Sequence, residues 1–484
     1  MLLQAQGLWY NGVSMKANHI AIMCRSGAIA AVGACFLAGI AGCETISRAR
    51  NAQAEVQELA NEAAEKPKIK FVNPGLKDFL DYALANRPDM EAADLAVEDA
   101  ELALKEVLAE RWIQVGAGAS YGQATANGSH WSWREHRGKF NGNVNAELLI
   151  YDFGRVDARE AAARESLVAA QETYAEKAWS VFDEVATAYF TLLQNDALLD
   201  VARTNEVECA LHLDQAQELF DAQEAKKLDV LRAELDLSDA KLRTINASND
   251  VITATAELFK VLGIEADMAA REDVLPVRGD ALAEAHTVFA PSEYRTVAAL
   301  EKARESNPTL KVLRAKVRMA HEGVNYSIAD LYPNLTVGAG FNFTDPAWNF
   351  NWAADVAQTV FQGGRKVAEV DRAVVALKTA WTQYEAAGQQ LSRDIDVAIA
   401  VRDNARQSLE TAKVQVRQAQ DNLELVTHQF RLGDASRVDF TDAVGDLADA
   451  LGVRVKAFYA GQMAEARLIS LIGCADKSHE TEAQ

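Results

Sequence analysis

The residue best placed for chemistry is Cys43. It follows Ile40-Ala41-Gly42 at the end of the apolar run 28–40, with Lys16 and Arg25 ahead of that run. A basic start, a short apolar stretch and small residues before a cleavage point read as an export signal over 1–42, with Met15 as a candidate true start. The run is too short to span a bilayer as a helix. Small residues directly before a cysteine resemble a bacterial lipoprotein signal, in which Cys43 would become the first mature residue and carry acyl chains such as palmitate. No other chemistry stands out. The sequence has no phosphate loop of the form G-x-x-x-x-G-K-[ST] and no H-E-x-x-H metal spacing. Gly116-x-Gly118 and Gly338-x-Gly340 fall inside strand patterns, not at strand-to-helix turns. His130 and His136 sit in a polar stretch read as a solvent loop. We therefore expect no catalytic residue, no metal and no cofactor; the function read here is passage. Lysine and arginine number 49 against 70 acids, a net charge of −21. That balance opposes nucleic-acid binding, which needs a basic footprint. Of five cysteines, Cys24 and Cys35 would leave with the signal. Cys209 and Cys474 are expected to be unbridged and to serve as small core residues.

The elements that would frame such a passage are long. Positions 155–262 contain neither proline nor glycine, and 347–484 contain no proline. A chain so free of breakers points to long helices. It is also duplicated. Tyr151-Asp152-Phe153-Gly154-Arg155 matches Phe361-Gln362-Gly363-Gly364-Arg365 at an offset of 210 residues. Phe220 and Phe430, Leu228-Asp229 and Val438-Asp439, and Leu262-Gly263 and Ile472-Gly473 keep that offset. Asn86-Arg87-Pro88 parallels Ser306-Asn307-Pro308 at 220, and Val115-Gly116-Ala117-Gly118 parallels Val337-Gly338-Ala339-Gly340 at 222. Each copy reads as helix, two strands, very long helix, sharp turn, long helix. The strand windows are 115–123, 140–150, 335–344 and 350–360, and the long helices are 155–220, 228–262, 365–430 and 438–472. The strands alternate, as in Leu335, Val337, Ala339, Phe341 and Phe343 against Thr336, Gly338, Gly340, Asn342 and Thr344. About ten residues with one apolar face suit a membrane barrel strand. Trp112, Tyr332, Tyr151 and Phe361 flank one end of the strands, and Trp131, Trp133 and Trp348 the other, as two interfacial girdles would. Leu228, Leu231, Leu235, Leu242 and Ile245 follow a heptad seam. After Cys43 no apolar stretch is long enough for a membrane helix, so a crossing would need strands.

Between the long helices, copy two has Gly433, suited to a left-handed helix end, and Ser436, suited to cap the next helix with Asp439 in its first turn. Copy one lacks both glycine and serine, so its turn is expected to be less sharply defined. Four strands cannot close a cylinder, and open edges are not tolerated in lipid. Chains must therefore share a barrel. Three would supply twelve strands and leave a lumen, whereas eight strands would be filled by side chains.

In these features the chain resembles the TolC-like outer-membrane efflux proteins, in the branch that includes lipoproteins. The resemblance covers roughly 76–474. It rests on the duplication, the two junction motifs and Phe430-x-x-Gly433-x-x-Ser436-x-x-Asp439. It implies a mainly α fold with a membrane β section: a homotrimeric 12-strand β-barrel on an α-helical barrel. It implies an outer-membrane channel of a tripartite efflux system, lipid-anchored and extending into the periplasm, with a periplasmic adaptor and an inner-membrane transporter as partners. On this reading 1–42 is the signal peptide, 43–75 a lipidated linker, 76–263 repeat one, 264–305 an equatorial segment between repeats, 306–474 repeat two and 475–484 a tail. Asp439 and Asp442 match an acidic ring at the periplasmic entrance. Gln223, Lys226, Leu228, Asp229, Gly433, Ser436 and Val438 match the adaptor-docking tips. Gly154, Arg155, Gly364 and Arg365 stand at the strand-to-helix junctions. The family often has tyrosine where Phe430 stands and a basic residue where Ala435 stands; neither residue here can form those hydrogen bonds or salt bridges. A duct for protein secretion, or a pore-free lipid-anchored coiled-coil scaffold, are the competing readings.

Overall fold

The computed structural model describes residues 75–122, 139–223, 226–264, 288–289, 296–344, 347–359, 361–432 and 434–473. Cys43, Gly433, Cys474, Trp131, Trp133, His130 and His136 lie outside these residues. So do nearly all of the linker and most of the equatorial segment.

Copy one contains α1 (Leu76–Asn86), α2 (Pro88–Ala109), β1 (Gln114–Gly122), β2 (Lys139–Tyr151), α3 (Arg155–Asp221) and α4 (Lys227–Leu262). Copy two contains α5 (Thr296–Ser306), α6 (Pro308–Ala329), β3 (Asn334–Thr344), β4 (Ala347–Ala357), α7 (Arg365–Leu432) and α8 (Arg437–Ile472). The order of elements is the same in both, and the fold is mainly α with one β section. At 1.5 Å per residue, the 67-residue α3 is about 100 Å long. The chain divides into two compact units, and the division falls within the strands.

The first unit includes 115–146 and 338–353. Its strands belong to one four-stranded sheet ordered β1-β2-β3-β4, so β1 and β4 are edges. Phe341 stacks on Trp348 with ring centroids 5.9 Å apart. β4 runs Ala347–Ala357, starting ahead of the 350–360 window. On the face that carries it, Trp348, Phe350 and Trp352 are 68%, 62% and 73% exposed.

The second unit includes the helices. Its main core gathers Phe79, Val181, Val185, Phe190, Leu258 and Leu262; a second gathers Leu310, Ile395, Leu468 and Ile472. Each copy locks its own end to its own start. In copy two, Pro308 opens α6 at N1, where its missing N–H costs nothing. The Asn307 carboxamide accepts from Leu310 N–H (3.1 Å) and donates to the Leu471 carbonyl (2.8 Å). The Ser306 hydroxyl donates to the Ile472 carbonyl at 2.6 Å. Gly473 takes φ +69°, and a Cβ there would come within 2.9 Å of Pro308 Cδ. In copy one, Arg87 donates to the Val261 carbonyl (3.2 Å) and pairs with Glu184 and Asp89, both at 2.7 Å.

The heptad seam of α4 is not where it buries its apolar surface. Leu228, Leu231, Leu235, Leu242 and Ile245 are 50–61% exposed, whereas Val230, Ala233 and Ala240 are buried. Val230 and Ala233 cluster with Ala216 of α3. Small side chains let two helices approach closely, so the chain's own partner packs on that stripe and the leucines are left facing outward. Cys209 is buried and unbridged, and burial pushes its thiol pKa up.

Candidate functional site

The candidate site residues fall in three sets: two helical tips and the strand-to-helix junctions. At the second tip, Ser436 caps α8. Its hydroxyl accepts from Asp439 N–H (3.3 Å), and Asp439 Oδ2 accepts from Ser436 N–H (2.9 Å). Hydrogen bonds from the Ser436 hydroxyl and then its amide hold the Asp439 carboxyl below its ordinary pKa. Asp439 thus fastens its own helix start. Asp442 lies exposed one turn on, and Val438 is 47% exposed. Phe440 turns inward, 5.6 Å from the Phe430 ring and 4.2 Å, edge-on, from the His212 ring of α3. Phe430 therefore holds the tip through an aromatic contact. Alongside runs a groove of about 670 Å³ lined by Glu208, His212, Leu423, Phe440, Val444 and Leu451 among others.

The first tip is built from residues less suited to a turn. Gln223, at the offset-210 partner of Gly433, adopts φ +63°. A non-glycine residue there costs about 1–2 kcal/mol. Lys226 stands where copy two has Ser436 and supplies no capping oxygen. Asp229 compensates by accepting from Lys226 N–H at 3.1 Å. Leu228 is 53% exposed, and Lys227 Nζ lies 5.7 Å from the Phe220 ring.

At the junctions, Gly154 and Gly364 take φ +87° and +86°, as a sharp strand-to-helix turn requires. The preceding residues, Phe153 and Gly363, are also left-handed, at +57° and +62°. Phe153 is held there by Tyr151 (4.8 Å) and by stacking on Tyr332 (5.1 Å). Asp152 caps the turn, accepting from Gly154 N–H (3.2 Å) and Val156 N–H (2.6 Å). Arg155 and Arg365 are not equivalent. Arg155 reaches Asp330 at 3.1 Å, but Arg365 pairs with Glu369 on its own helix at 2.9 Å. The second cation on Asp330 is Lys366, at 2.9 Å. Burial would raise the Asp330 pKa, yet Lys366 and Arg155 together hold it below its ordinary value.

The sequence reading missed Asp330, Lys366 and Phe440. One signal was available. Asp330 and Glu110 are separated by the same 220 residues as the proline motifs, and each is the C-cap residue of its helix. A carboxylate opposes the dipole at a helix C-terminus and calls for a cation. Glu110 finds Arg159 at 2.6 Å.

The profile of the outer membrane efflux protein family matches residues 79–264 and 299–474. The chain belongs to the outer membrane efflux protein family. Relatives within reach of sequence comparison include the probable outer membrane lipoprotein SilC of Salmonella typhimurium, 20% identical over 83% of this chain and 86% of that one. The cation efflux system protein CusC of Escherichia coli K12 is 21% identical over 83% and 87%. A crystal structure of CusC superposes with a TM-score of 0.73 at 18% identity, covering 84% of this chain and 94% of that one. The outer membrane protein VceC of Vibrio cholerae gives 0.71 at 16%, covering 82% and 96%. The duplicated order of elements is thus the fold of outer membrane efflux channels. Within the chain itself, the first tip differs from the second in having Gln223 and Lys226 where the second has Gly433 and Ser436.

Proposed function

We propose that three copies of this chain form an outer-membrane efflux duct, each contributing four strands to a 12-strand barrel and four helical columns to a periplasmic tunnel. The sheet carries the reading. It exposes an apolar, aromatic-rich face and ends in two edge strands, β1 and β4. Unpaired backbone groups cost several kcal/mol each in lipid, so the edges must meet those of other copies. The exposed leucine stripe of α4 gives those copies an apolar seam to share. No described helix is long and apolar enough to cross a membrane, which leaves the crossing to the strands.

Gln223, Lys226, Leu228, Asp229, Gly433, Ser436 and Val438 would meet a periplasmic adaptor that couples the duct to an inner-membrane transporter. Cys43 would anchor the mature chain by lipid in the outer membrane; one relative carries a lipoprotein name. Asp439 and Asp442 from three chains would place six carboxylates around one axis, favouring cations over anions. A relative named for cation efflux agrees with that preference.

Planar-bilayer recording of the purified protein tests the duct. Discrete conductance steps are expected. A pure, folded protein without conductance would instead favour the pore-free scaffold. Asp439→Ala with Asp442→Ala should lower cation preference and weaken block by multivalent cations; unchanged selectivity would remove both residues from the role. Crosslinked adaptor and pump, identified after co-purification, would separate a small-solute pump from a protein-secretion system.

A further inference from the structure

The sheet places asparagines opposite glycines in both hairpins. An ideal Cβ built on Gly118 of β1 would stand 2.5 Å from Asn143 Oδ1 of β2, and one on Gly116 would stand 3.0 Å from Asn145 Oδ1. In the second hairpin, a Cβ on Gly340 of β3 would stand 2.8 Å from Asn351 Oδ1 of β4. None of these glycines has a positive φ, so backbone freedom does not explain them. Each costs about 0.5–1 kcal/mol relative to alanine in a strand. What each provides is space: the carboxamide of the cross-strand asparagine lies where the missing side chain would stand. Asn342 Nδ2 fastens the arrangement, donating to Asn349 Oδ1 and Asn351 Oδ1, each at 3.2 Å. The Phe341–Trp348 stack occupies the opposite face.

We propose that these glycines lay the asparagine side chains flat on the lumen face. The membrane section of the duct is then a wide, amide-lined bore whose size cut-off these residues set, with Glu147 and Asp355 as the carboxylates on the same strand face. The proposal rests on the duct reading above. It makes Gly118 and Gly340 the residues that set the bore, with Asn143 and Asn351 as the side chains they lay down. The outgoing strand supplies glycine and the return strand asparagine in both copies. An alanine at either glycine would push only the mobile end of an amide, so the sheet survives and the amide must rise from it.

The test is polymer exclusion in planar bilayers, with neutral polyethylene glycols of graded size added on the side of the strand-connecting loops. Gly118→Ala with Gly340→Ala should shift the size cut-off to smaller polymers. Adding Asn143→Ala and Asn351→Ala to the same chain should restore it. Those two asparagine changes alone, which overpack nothing, should leave the cut-off at the wild-type value. A glycine variant that conducts with an unshifted cut-off would overturn the proposal. So would an enlarged cut-off in the asparagine variant, because upright amides would already have been filling the bore. A wild-type protein with no pore would overturn the duct reading and this proposal together.

Discussion

Replacing Leu235 and Leu242 by aspartate should weaken assembly of the helical section while leaving each chain helical. The two side chains are 61% and 58% exposed in the single chain, and neither belongs to the buried stripe of Val230, Ala233 and Ala240. Full burial of a leucine contributes about 1.5–3 kcal/mol, so each still has about 1 kcal/mol to gain from a second copy. The five residues of the stripe then offer roughly 5 kcal/mol per interface, an upper bound on area grounds. The double change removes about 2 kcal/mol of that and adds the cost of desolvating two carboxylates, at least a few kcal/mol. The interface is lost, worth on the order of a thousand-fold at 1.4 kcal/mol per decade. Barrel closure still ties the copies together, so the assay must read the helices: the rate of protease cleavage within 227–262, and the temperature at which the detergent-solubilised assembly separates into single chains. Faster cleavage and a lower separation temperature are expected, with unchanged far-ultraviolet helix content. Wild-type protease resistance together with an unchanged separation temperature would show that the stripe faces no second copy.

Three further changes follow from the same geometry. Gln223→Gly should raise resistance to unfolding by about 1 kcal/mol, because glycine takes the +63° turn without the side-chain cost; denaturant midpoints compare the two. Gly473→Ala should cost at least about 1–2 kcal/mol, since it combines a +69° backbone with a Cβ 2.9 Å from Pro308 Cδ, and a lower melting temperature would register it. Asp330→Asn should destabilise the junction at neutral pH. The folded pKa of Asp330 is depressed, so its contribution is present above the ordinary carboxylate range and is lost as pH falls through the folded value. The melting-temperature difference between wild type and variant should therefore shrink on acidification.

The mainly helical class with a short β section was legible because its signals are local and repeated. Long breaker-free stretches, period-two strands and a constant offset each carry their own evidence. Packing partners were not legible. The α4 helix has two stripes at heptad spacing, one of leucines and one of small residues, and spacing alone does not say which a given neighbour covers. Closeness decided it: Val230 and Ala233 admit α3, and the leucines would hold it away. The tip of copy one lacks the usual turn residues, yet Gln223 takes a left-handed φ of +63°, which no local pattern announces. The Asp330 pairings join residues 175 and 36 positions apart, beyond any local pattern. Gln462 was equally silent in sequence. Its carboxamide accepts from Phe289 N–H (3.0 Å) and donates to the Phe289 carbonyl (3.3 Å), setting that ring against Phe190 at 5.8 Å.

The central claim is that one chain holds a third of a closed cylinder. The mass of the purified particle, measured by light scattering with the detergent contribution subtracted, tests it most directly. Three chains are expected in each particle, each of 52.7 kDa less the proposed signal over 1–42. A monodisperse single chain, stable in buffer without detergent and with its strands protected from hydrogen exchange, would contradict it.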